Sequence, residues 1–496
     1  MASRPGRAVA GHRRRRDDQH DARWATGREL RPLRVPHPGR PGRVPHPGRP
    51  GTTGNAGTTG NGGARPGRLV VGVHRRRLLA VEPGHSLLVV GPTQSGKTSG
   101  LAVPALLEWE GPVVAASVKS DLLRHTLGWR ATRGTVWVYD PTEATGMASA
   151  SWSPLDTSWT WEGARRMAQS LAEVARSSAG SFSDAEFWYA VAAKLIAPLL
   201  QAAAVSGRTM ADVLRWVDEH EECEVVEALS RAGAAHALRA AHASWARDDR
   251  QRSAVYTTAE TVLEAFADPA VAGAADPRPG VGARIDPAAL LDGDHTLYLC
   301  APANDQRRLR PLLATMVGQV VEAAYERATR RGGPIDRPLL VLLDEAANVA
   351  PLAELDVLAS TAAGHGIQLV TVWQDLAQLT ARYGARAGSV VNNHRAKLFL
   401  SGIADVGTLE HASTLVGEAF TPTRATTVDG RGAASTTTSP VLRRLVPADA
   451  LRRLPPETGV LVSGHLAPAR VRLRPWFEDA RLAARAAADT RPPSLP

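Results

Sequence analysis

Seven short apolar runs after residue 69 constrain the fold of this chain more than any other feature of its sequence. Several of these runs contain no alternating polar residues. Strands that are apolar on both faces are typical of a parallel sheet that helices cover on each side. The sequence therefore predicts an α/β fold with a mostly parallel central sheet. The predicted strands are Leu87–Val90, Val113–Ser117, Thr135–Tyr139, Thr296–Cys300, Leu339–Leu343, Ile367–Trp373 and Lys397–Ser401.

The residues between the third and the fourth run have helical periodicity instead. One apolar stripe at helical spacing comprises Ala164, Met167, Leu171 and Val174. Two pairs have the spacing of a capping box at a helix start, Ser183 with Glu186 and Thr209 with Asp212. A further amphipathic stretch covers residues 253–267. We predict an inserted all-α domain at 150–285 and a nucleotide-binding α/β domain formed by 69–149 and 286–480.

The carboxyl-terminal part of the chain is expected to be less regular. Residues 421–439 are rich in Thr, Gly and Ser and predict a loop. Apolar periodicity then predicts a helix at Pro447–Leu454 and a final pair of strands at Val460–Ser463 and Val471–Leu473. Residues 481–496 are expected to form a flexible C-terminus.

The first 68 residues form an Arg/Pro/Gly-rich tail that repeats itself, since residues 34–42 recur unchanged as 43–51. Such a composition buries too little apolar surface to offset the entropy of ordering, so we expect disorder. The tail holds 15 Arg and four acidic residues, a net charge of +11, which leaves −1 for the remainder of a chain whose total is +10. An Arg-rich tail could bind DNA or an anionic membrane surface. Alternatively, it is a solvated extension without a role.

The longest apolar stretch, Tyr189–Val205, is interrupted by Lys194, Pro198 and Gln201 and predicts a buried helix rather than a membrane span. The Arg cluster near the start is not followed by the apolar stretch of a signal peptide. We therefore expect a soluble cytoplasmic protein, which partners could hold at the inner face of the membrane. The two cysteines, Cys223 and Cys300, are consistent with a reducing compartment.

Residues 91–98 read GPTQSGKT and match the phosphate-binding pattern GxxxxGK[ST] directly after a predicted strand. Glycines let successive N–H groups surround phosphate oxygens, and the helix that follows adds the positive end of its dipole. Lys97 is one of only four lysines among 59 basic residues. We expect it to bind the β and γ phosphates of ATP, and Thr98 to bind Mg²⁺. The expected nucleotide-binding residues are Gly91, Pro92, Thr93, Gln94, Ser95, Gly96, Lys97, Thr98 and Ser99.

Three polar residues at the ends of two other predicted strands complete the expected site. Asp344 and Glu345 follow Leu339–Leu343, where one carboxylate could bind Mg²⁺ and the other could polarise an attacking water. Gln374 ends the next strand and could bind both the γ phosphate and that water. For Lys119 and Asp121, after the second strand, supporting the site and lying on the surface are both open.

Several longer stretches resemble the type IV secretion system coupling proteins, the TraG/TraD-like P-loop ATPases of conjugative DNA transfer. The resemblance covers most of residues 69–480 and is carried by 91–107, 187–200, 341–352, 392–402 and the block GHGIQLVTVWQDLAQLTARYG at 364–384. It implies a RecA-like motor domain with an inserted all-α domain. It also implies a hexameric ring that delivers relaxase-bound single-stranded DNA, or protein, from relaxosome proteins to the secretion channel. Lys97, Thr98, Asp344, Glu345 and Gln374 would be the ATPase residues.

Two departures from the family pattern limit what the resemblance implies. Members usually begin with a pair of transmembrane segments, so docking at a membrane channel would require either that a partner supplies the anchor or that the amino-terminal end is incomplete. Members also often have an arginine where this chain has Ala363, and we expect Arg395 or Arg382 to act in its place on the neighbouring subunit's nucleotide. Two other functions remain open: a general duplex-DNA translocase or packaging ATPase, and a nucleotide-binding adaptor that recruits relaxosome proteins.

Overall fold

The computed structural model describes residues 22–35, 68–179, 184–276, 283–302, 304–428, 430, 432 and 434–488. An 11-stranded sheet runs through the described part of the chain, and a separate two-stranded sheet lies beside it. The strands are β1 (Val70–His74), β2 (Arg77–Ala80), β3 (Leu87–Val90), β4 (Val113–Ser117), β5 (Val136–Tyr139), β6 (Thr296–Cys300), β7 (Leu339–Leu343), β8 (Ile367–Trp373), β9 (Ala396–Leu400), β10 (Glu418–Val428), β11 (Ala434–Arg444), β12 (Thr458–Ser463) and β13 (Ala469–Arg472).

The large sheet has the order β2-β1-β13-β12-β9-β3-β8-β7-β4-β6-β5. The seven strands from β9 to β5 are parallel, and the four others extend the sheet with antiparallel pairings. The predicted α/β fold with a mostly parallel sheet is therefore confirmed. All seven apolar runs are strands, and their bounds differ from the predicted ones by one residue at most.

Alternate residues of each central strand face two different cores. In β3, Leu88 and Val90 belong to one buried cluster, whereas Leu87 and Val89 belong to the other. All four side chains are fully buried. Helices cover both faces, which explains why these strands carry no polar alternation.

Seventeen α-helices surround the sheet in the described part of the chain. They are α1 (Val103–Glu108), α2 (Asp121–Ala131), α3 (Trp161–Ala179), α4 (Ala185–Ser206), α5 (Met210–Asp218), α6 (Cys223–Arg231), α7 (Ala235–Trp245), α8 (Asp249–Leu263), α9 (Pro269–Ala275), α10 (Pro287–Leu290), α11 (Gln306–Arg331), α12 (Leu355–His365), α13 (Leu376–Tyr383), α14 (Ala387–Asn393), α15 (Val406–Val416), α16 (Ala448–Arg452) and α17 (Ala480–Ala486).

Helices α3 to α9 lie in sequence between β5 and β6 and form the inserted helical part of the fold. Helix α4 is its centre and packs against α3, α6, α7 and α8. By length and composition α4 could span a membrane, but 78% of its most apolar window is buried inside the fold. It therefore serves as a core helix here. The capping box of Thr209 and Asp212 is present at the start of α5, while Ser183 of the other box lies outside the described residues.

The expectation that residues 1–68 are disordered is wrong for residues 22–35, and the other positions of this tail that precede Arg68 lie outside the described residues. Leu30 and Leu33 are each 1% exposed and join the core that contains Leu79. The N–H of Ala80 donates to the carbonyl of Leu33 at 2.8 Å, so the segment is bonded to β2. The two leucines are apolar side chains that the compositional argument overlooked.

Two expectations for the carboxyl-terminal part are also wrong. In place of the predicted loop, residues 421–428 belong to β10 and residues 434–439 to β11, and both strands are exposed on both faces and therefore show no apolar alternation. Residues 481–486 belong to α17 rather than to a flexible end. Leu482 of α17 is fully buried, and Arg485 lies over the ring of Trp129 and donates to the carbonyl of Leu107 at 2.6 Å.

Candidate nucleotide-binding site

A cleft of about 400 Å³ opens at the carboxyl edge of the parallel strands. The loop 91–97 follows β3 at this edge, and the N–H of Gly91 donates to the carbonyl of Trp373 at 3.0 Å. This bond joins the start of the loop to the end of β8. The cleft is lined by Thr93, Gln94, Ser95, Gly96, Lys97, Thr98, Ser99, Val103, Ser117, Val118, Lys119, Asp121, His125, Asp344, Glu345, Glu457, Trp476 and Phe477.

The backbone of the loop is shaped for an anion. Gln94 and Gly96 have left-handed φ angles of 65° and 83°, and Lys97 is right-handed. Alternation of this kind turns successive N–H groups toward one centre. Gly91 cannot carry a side chain, because a Cβ there would lie 2.8 Å from Ser95 Oγ. Ser95 Oγ is buried and has no hydrogen-bond partner in the described part of the chain, as expected of a donor that awaits a ligand.

Lys97 is the cation of the cleft, and its side chain is largely buried. Its ammonium group donates to the carbonyl of Gly91 and, at 2.7 Å, to that of Pro92. Desolvation lowers its pKa, which the negative charges of Asp344 and Glu345 oppose. Because the bonded carbonyls are neutral, a phosphate at this position would supply the missing negative charge. The loop and Lys97 together fit a nucleotide phosphate.

Asp344 lies on the other side of the cleft, at the end of β7, and is 5% exposed. Its Oδ2 accepts hydrogen bonds from Thr98 Oγ1 at 3.0 Å and from Ser117 Oγ at 3.5 Å. Burial raises the pKa of the carboxyl group, against the effect of the bond from Thr98. A hydroxyl and a carboxylate oxygen side by side are the ligands that Mg²⁺ prefers. The pair therefore fits a magnesium ion.

Glu345 has a left-handed backbone with φ of 61°, which is costly for a residue with a Cβ. Two main-chain hydrogen bonds fix this turn. The N–H of Asp344 donates to the carbonyl of Ala116, and the N–H of Ala346 donates to the carbonyl of Val372. The turn lets two successive carboxylates line one cleft instead of pointing to opposite faces of a strand. Local strain at this position is thus part of how the site is built.

Gln374 is placed next to the cleft but does not line it. It follows β8, and its N–H donates to Gln378 Oε1 at 3.1 Å. Its neighbour Trp373 accepts the bond from Gly91 described above. The structure therefore brings the backbone of Gln374 to the edge of the phosphate-binding loop.

Lys119 and Asp121 are exposed, and both line the cleft. Sequence reasoning missed His125, Glu457, Trp476 and Phe477, which also line it. These four lie outside any motif, and three of them come from the last 40 residues of the chain. The adjacent aromatic pair directly after the last strand was the one signal that could have drawn attention to them.

The two arginines suggested as trans-acting groups lie elsewhere. Arg395 is exposed and precedes β9, where the N–H of Ala396 donates to the carbonyl of Ser86. This is the amino edge of the sheet, opposite the cleft. Arg382 lies in α13, and its burial lowers its pKa to about 10, aided by the charge of Arg310.

Comparison with known proteins agrees with this geometry. The family model described as "Type IV secretory system Conjugative DNA transfer" matches residues 58–493. A conjugal transfer protein TraG of Escherichia coli is 28% identical over 402 residues, which cover 75% of this chain and 62% of that protein. A protein VirD4 of Rhizobium radiobacter is 25% identical over 356 residues, which cover 70% of this chain and 50% of that protein. The chain thus spans less than two thirds of the length of these curated relatives.

Among solved structures, the unbound bacterial conjugative coupling protein TrwBdeltaN70 has a TM-score of 0.62 at 19% identity, covering 82% of this chain and 88% of that one. Plasmid coupling protein TrwB in complex with the non-hydrolysable ATP analogue ADPNP has a TM-score of 0.61 at 20% identity. The match covers 83% of this chain and 96% of the TrwB chain. These similarities show a shared α/β fold with an all-α domain. The chain belongs to the family of type IV secretory system conjugative DNA-transfer proteins.

Proposed function

We propose that this chain is an ATP-hydrolysing coupling motor that delivers relaxase-bound single-stranded DNA, or protein, to a type IV secretion channel. The observation that carries the proposal is the hydrogen bond between Thr98 and Asp344, residues 246 positions apart. It brings the phosphate-binding loop and the two acids of β7 to one cleft. Family membership supports the transfer role, and the cleft supports nucleotide chemistry.

The proposed roles follow from the contacts in the cleft. Lys97 and the loop 91–97 hold the β and γ phosphates, and Thr98 and Asp344 hold Mg²⁺, which when bound neutralises phosphate charge. Glu345 orients and polarises the attacking water from its strained turn. TrwB has been solved with ADPNP and with ADP and Mg²⁺, which supports ATP and Mg²⁺ as the ligands here.

Gln374 is proposed to report the state of the γ phosphate. It is joined through Trp373 to the first residue of the phosphate-binding loop, so a shift of the loop would displace the end of β8. Such a coupling would link the nucleotide to α13, which follows Gln374 in sequence.

A homo-hexameric ring would place an arginine of one subunit against the nucleotide of the next. Arg395 fits this role better than Arg382, because it is exposed and lies at the amino edge of the sheet. There its charge helps to lower the pKa of His85, together with the larger effect of burial. Ala363 lies at the same edge, since a Cβ on Gly84, the neighbour of His85, would approach Ala363 Cβ to 3.0 Å. Arg395 is thus close to the position where related chains often carry their arginine.

The partners that we propose are single-stranded DNA, relaxosome proteins and components of the secretion channel. Docking would take place at the cytoplasmic side of the membrane. The net charge of +11 in residues 1–68 provides a polybasic segment that anionic DNA or lipid could attract.

Steady-state ATP hydrolysis by the full chain tests the proposal, measured without DNA, with single-stranded DNA and with duplex DNA. Lys97→Ala is expected to reduce kcat/KM by at least about 100-fold, on the scale of losing a preorganised electrostatic contact. Lys194→Ala removes an exposed lysine of α4 and serves as the matched control with unchanged turnover.

The three outcomes separate the candidate functions. Turnover that depends on Lys97 and rises mainly with single strands supports the coupling motor. A preference for duplex DNA points to a general translocase. ATP binding without turnover under every condition contradicts a motor and favours an adaptor that recruits relaxosome proteins.

A further inference from the structure

Two aromatic side chains at the cleft are not explained by phosphate or metal binding. Trp476 and Phe477 follow β13 and line the same cleft as Lys97. The ring of Phe477 is 57% exposed, which is unusual for a phenylalanine in a well-packed region. The two rings are 5.6 Å apart and nearly perpendicular at 83°.

The aromatic pair is held in place by the helix that follows the phosphate-binding loop, a π-helical turn at Thr98–Ala102 that continues directly into α1. The N–H of Arg474 donates to the carbonyl of Gly100 at 3.2 Å. The guanidinium of Arg474 pairs with Glu108 of α1 at 2.5 Å. Residues 473–475 therefore run along this helix, which fixes the distance between the aromatic pair and the loop.

Packing leaves only one of the two rings open. Trp476 is partly buried and lies 4.5 Å from the ring of His125, which comes from α2. His125 lines the cleft as well. Trp476 is thus backed by protein, whereas Phe477 presents its ring to the solvent beside the phosphate-binding loop.

We propose that Trp476 and Phe477 form a platform for the base of the bound nucleotide, with Phe477 stacking on the base. This inference rests on the proposed function, since it assigns the second half of the same nucleotide site. A nucleoside di- or triphosphate anchored by its phosphates has its base a few ångströms from the phosphate-binding loop, and an exposed ring there can stack on it. Stacking engages the face of the base and not its edge, so adenine and guanine should bind alike, and both more tightly than cytosine.

Isothermal calorimetry with ADP and with pyrophosphate, both in Mg²⁺, tests the platform. In Phe477→Ala the Kd for ADP is expected to rise about 5- to 100-fold, the range for losing one base–aromatic stack. The Kd for pyrophosphate should change less than about twofold, because pyrophosphate has no base. Phe477→Trp should retain the affinity for ADP.

A matched control is Phe187→Ala in α4, since Phe187 is also 57% exposed but lies outside the cleft. It should leave both Kd values unchanged. GDP and CDP give an independent readout: the wild-type preference for GDP over CDP should shrink in Phe477→Ala.

The outcomes separate the platform from the proposed function. Unchanged ADP binding in Phe477→Ala, or equal losses for ADP and pyrophosphate, would overturn the platform. If Lys97→Ala leaves the binding of both ligands unchanged, the phosphate site itself, and with it the proposed function, is refuted. An unchanged thermal midpoint of Phe477→Ala would show that the variant is folded.

Discussion

At the scale of single residues, the cleft of the apo protein contains ionisable side chains whose charged forms are disfavoured by burial. Burial lowers the pKa of Lys97 and raises that of Asp344, so in each case the neutral form is favoured relative to solution. Folding does not by itself require a buried carboxylate at this position. Binding of the ligand does require this carboxylate. Its burial therefore lowers the free energy of unfolding of the apo protein.

We therefore expect Asp344→Asn to raise the thermal midpoint of the apo protein at pH 7. The folded pKa of Asp344 lies above its ordinary 3.8, so the folded state binds this proton more readily than the unfolded state. The contribution of Asp344 to the free energy of unfolding thus falls as pH rises from 3.8 to the folded pKa. Calorimetric melts between pH 4 and 8, without nucleotide, should show that this fall is absent from the variant.

Asp218→Asn, at an exposed position, is the control and should follow the wild-type pH dependence. The same Asp344→Asn variant should lose the extra stability that wild type gains from Mg²⁺ and ADP. A lower apo midpoint in the variant would show that Asp344 stabilises the fold rather than the ligand.

Arg130 shows the opposite case, a buried charge that the fold itself uses. It is 0% exposed and donates to the carbonyls of Trp109, Gly111 and Asp294 and to the hydroxyl of Thr296, at 2.7–2.9 Å. These groups precede or begin β4 and β6. One guanidinium therefore holds the amino ends of two neighbouring strands together.

Arg130→Met is expected to lower the free energy of unfolding by about 3 kcal/mol or more, because at least three buried carbonyls lose their donor. Arg130→Lys should recover only part of this loss, since a single ammonium cannot reach the same set of oxygens. Urea unfolding followed by circular dichroism measures the change. Arg124→Met, at an exposed position of the same helix, should stay within about 0.5 kcal/mol of wild type.

At the scale of secondary-structure elements, the close approach of the helix after the phosphate-binding loop to the segment after β13 decides the shape of the cleft. A Cβ on Gly100 would lie 2.8 Å from Leu473 Cβ. The approach brings the residues after β13 over this helix, and with them the aromatic pair. A glycine in the first turns of the helix is therefore a packing requirement.

Gly100→Ala is expected to destabilise the protein by about 1–3 kcal/mol through overpacking, and to weaken ADP binding as the segment after β13 is displaced. Leu473→Gly in the same chain removes the Leu473 Cβ, so Gly100→Ala should cost less stability in that background than in wild type. Thermal midpoints and ADP Kd values of the single and double variants measure both effects.

Gly318→Ala in α11 provides a control for which the free energy of unfolding is expected to rise instead of fall. Among the described residues, no atom outside the backbone of α11 and the two neighbours of Gly318 lies within 4 Å of a Cβ at this position, so alanine should stabilise the helix by about 0.5–1 kcal/mol. If both glycine variants gain stability, the contact between Gly100 and Leu473 does not restrain the fold.

The elements that were predicted well and those that were missed differ in a physical way. The bounds of β4, β6, β7 and β8 agree with the prediction to the residue, because an apolar run of five to seven residues is too short for a buried helix and has the length of a strand buried on both faces. The β10–β11 hairpin was missed, since its threonine-rich strands are exposed on both faces and leave no pattern to read. Its two strands are joined by continuous cross-strand pairing from Glu418 with Arg444 to Val428 with Ala434.

At the scale of the whole molecule, residues distant in sequence complete one buried cluster of the α/β domain. Residues 22–35 pack against β1 and β2 at one end of the chain, and α17 packs against α1 and α2 at the other. The α/β domain is thus completed by segments that composition assigned to a disordered tail and a flexible end.

Leu33→Ala is expected to reduce the free energy of unfolding by about 2–4 kcal/mol, as for a buried leucine whose cavity does not collapse. Leu415→Ala, at a position that is 41% exposed, should cost less than about 1 kcal/mol. Urea midpoints of both variants give the comparison. Equal small losses would mean that residues 22–35 are peripheral to the stability of the domain.

The sequence alone determined the parallel sheet and brought the phosphate-binding loop and the two acids to one of its edges, because short-range rules govern each of them. Apolar runs require burial on both faces, a GxxxxGKT loop after a strand has one conformation, and parallel strands bring their carboxyl ends to one edge. Lys97, Thr98 and Asp344 could therefore be named without coordinates as residues of one cleft, whereas Gln374 lies next to that cleft and does not line it.

Only the tertiary structure decided which residues complete the cleft. Trp476, Phe477 and Glu457 reach it because β12 and β13 add antiparallel strands beside β9 and return the chain over the helix that follows the phosphate-binding loop. The packing of Leu30 and Leu33 was decided in the same way. Such contacts depend on burial between segments that are distant in sequence. This burial leaves no periodic signal in the segments themselves, so the local sequence pattern could not predict the contacts.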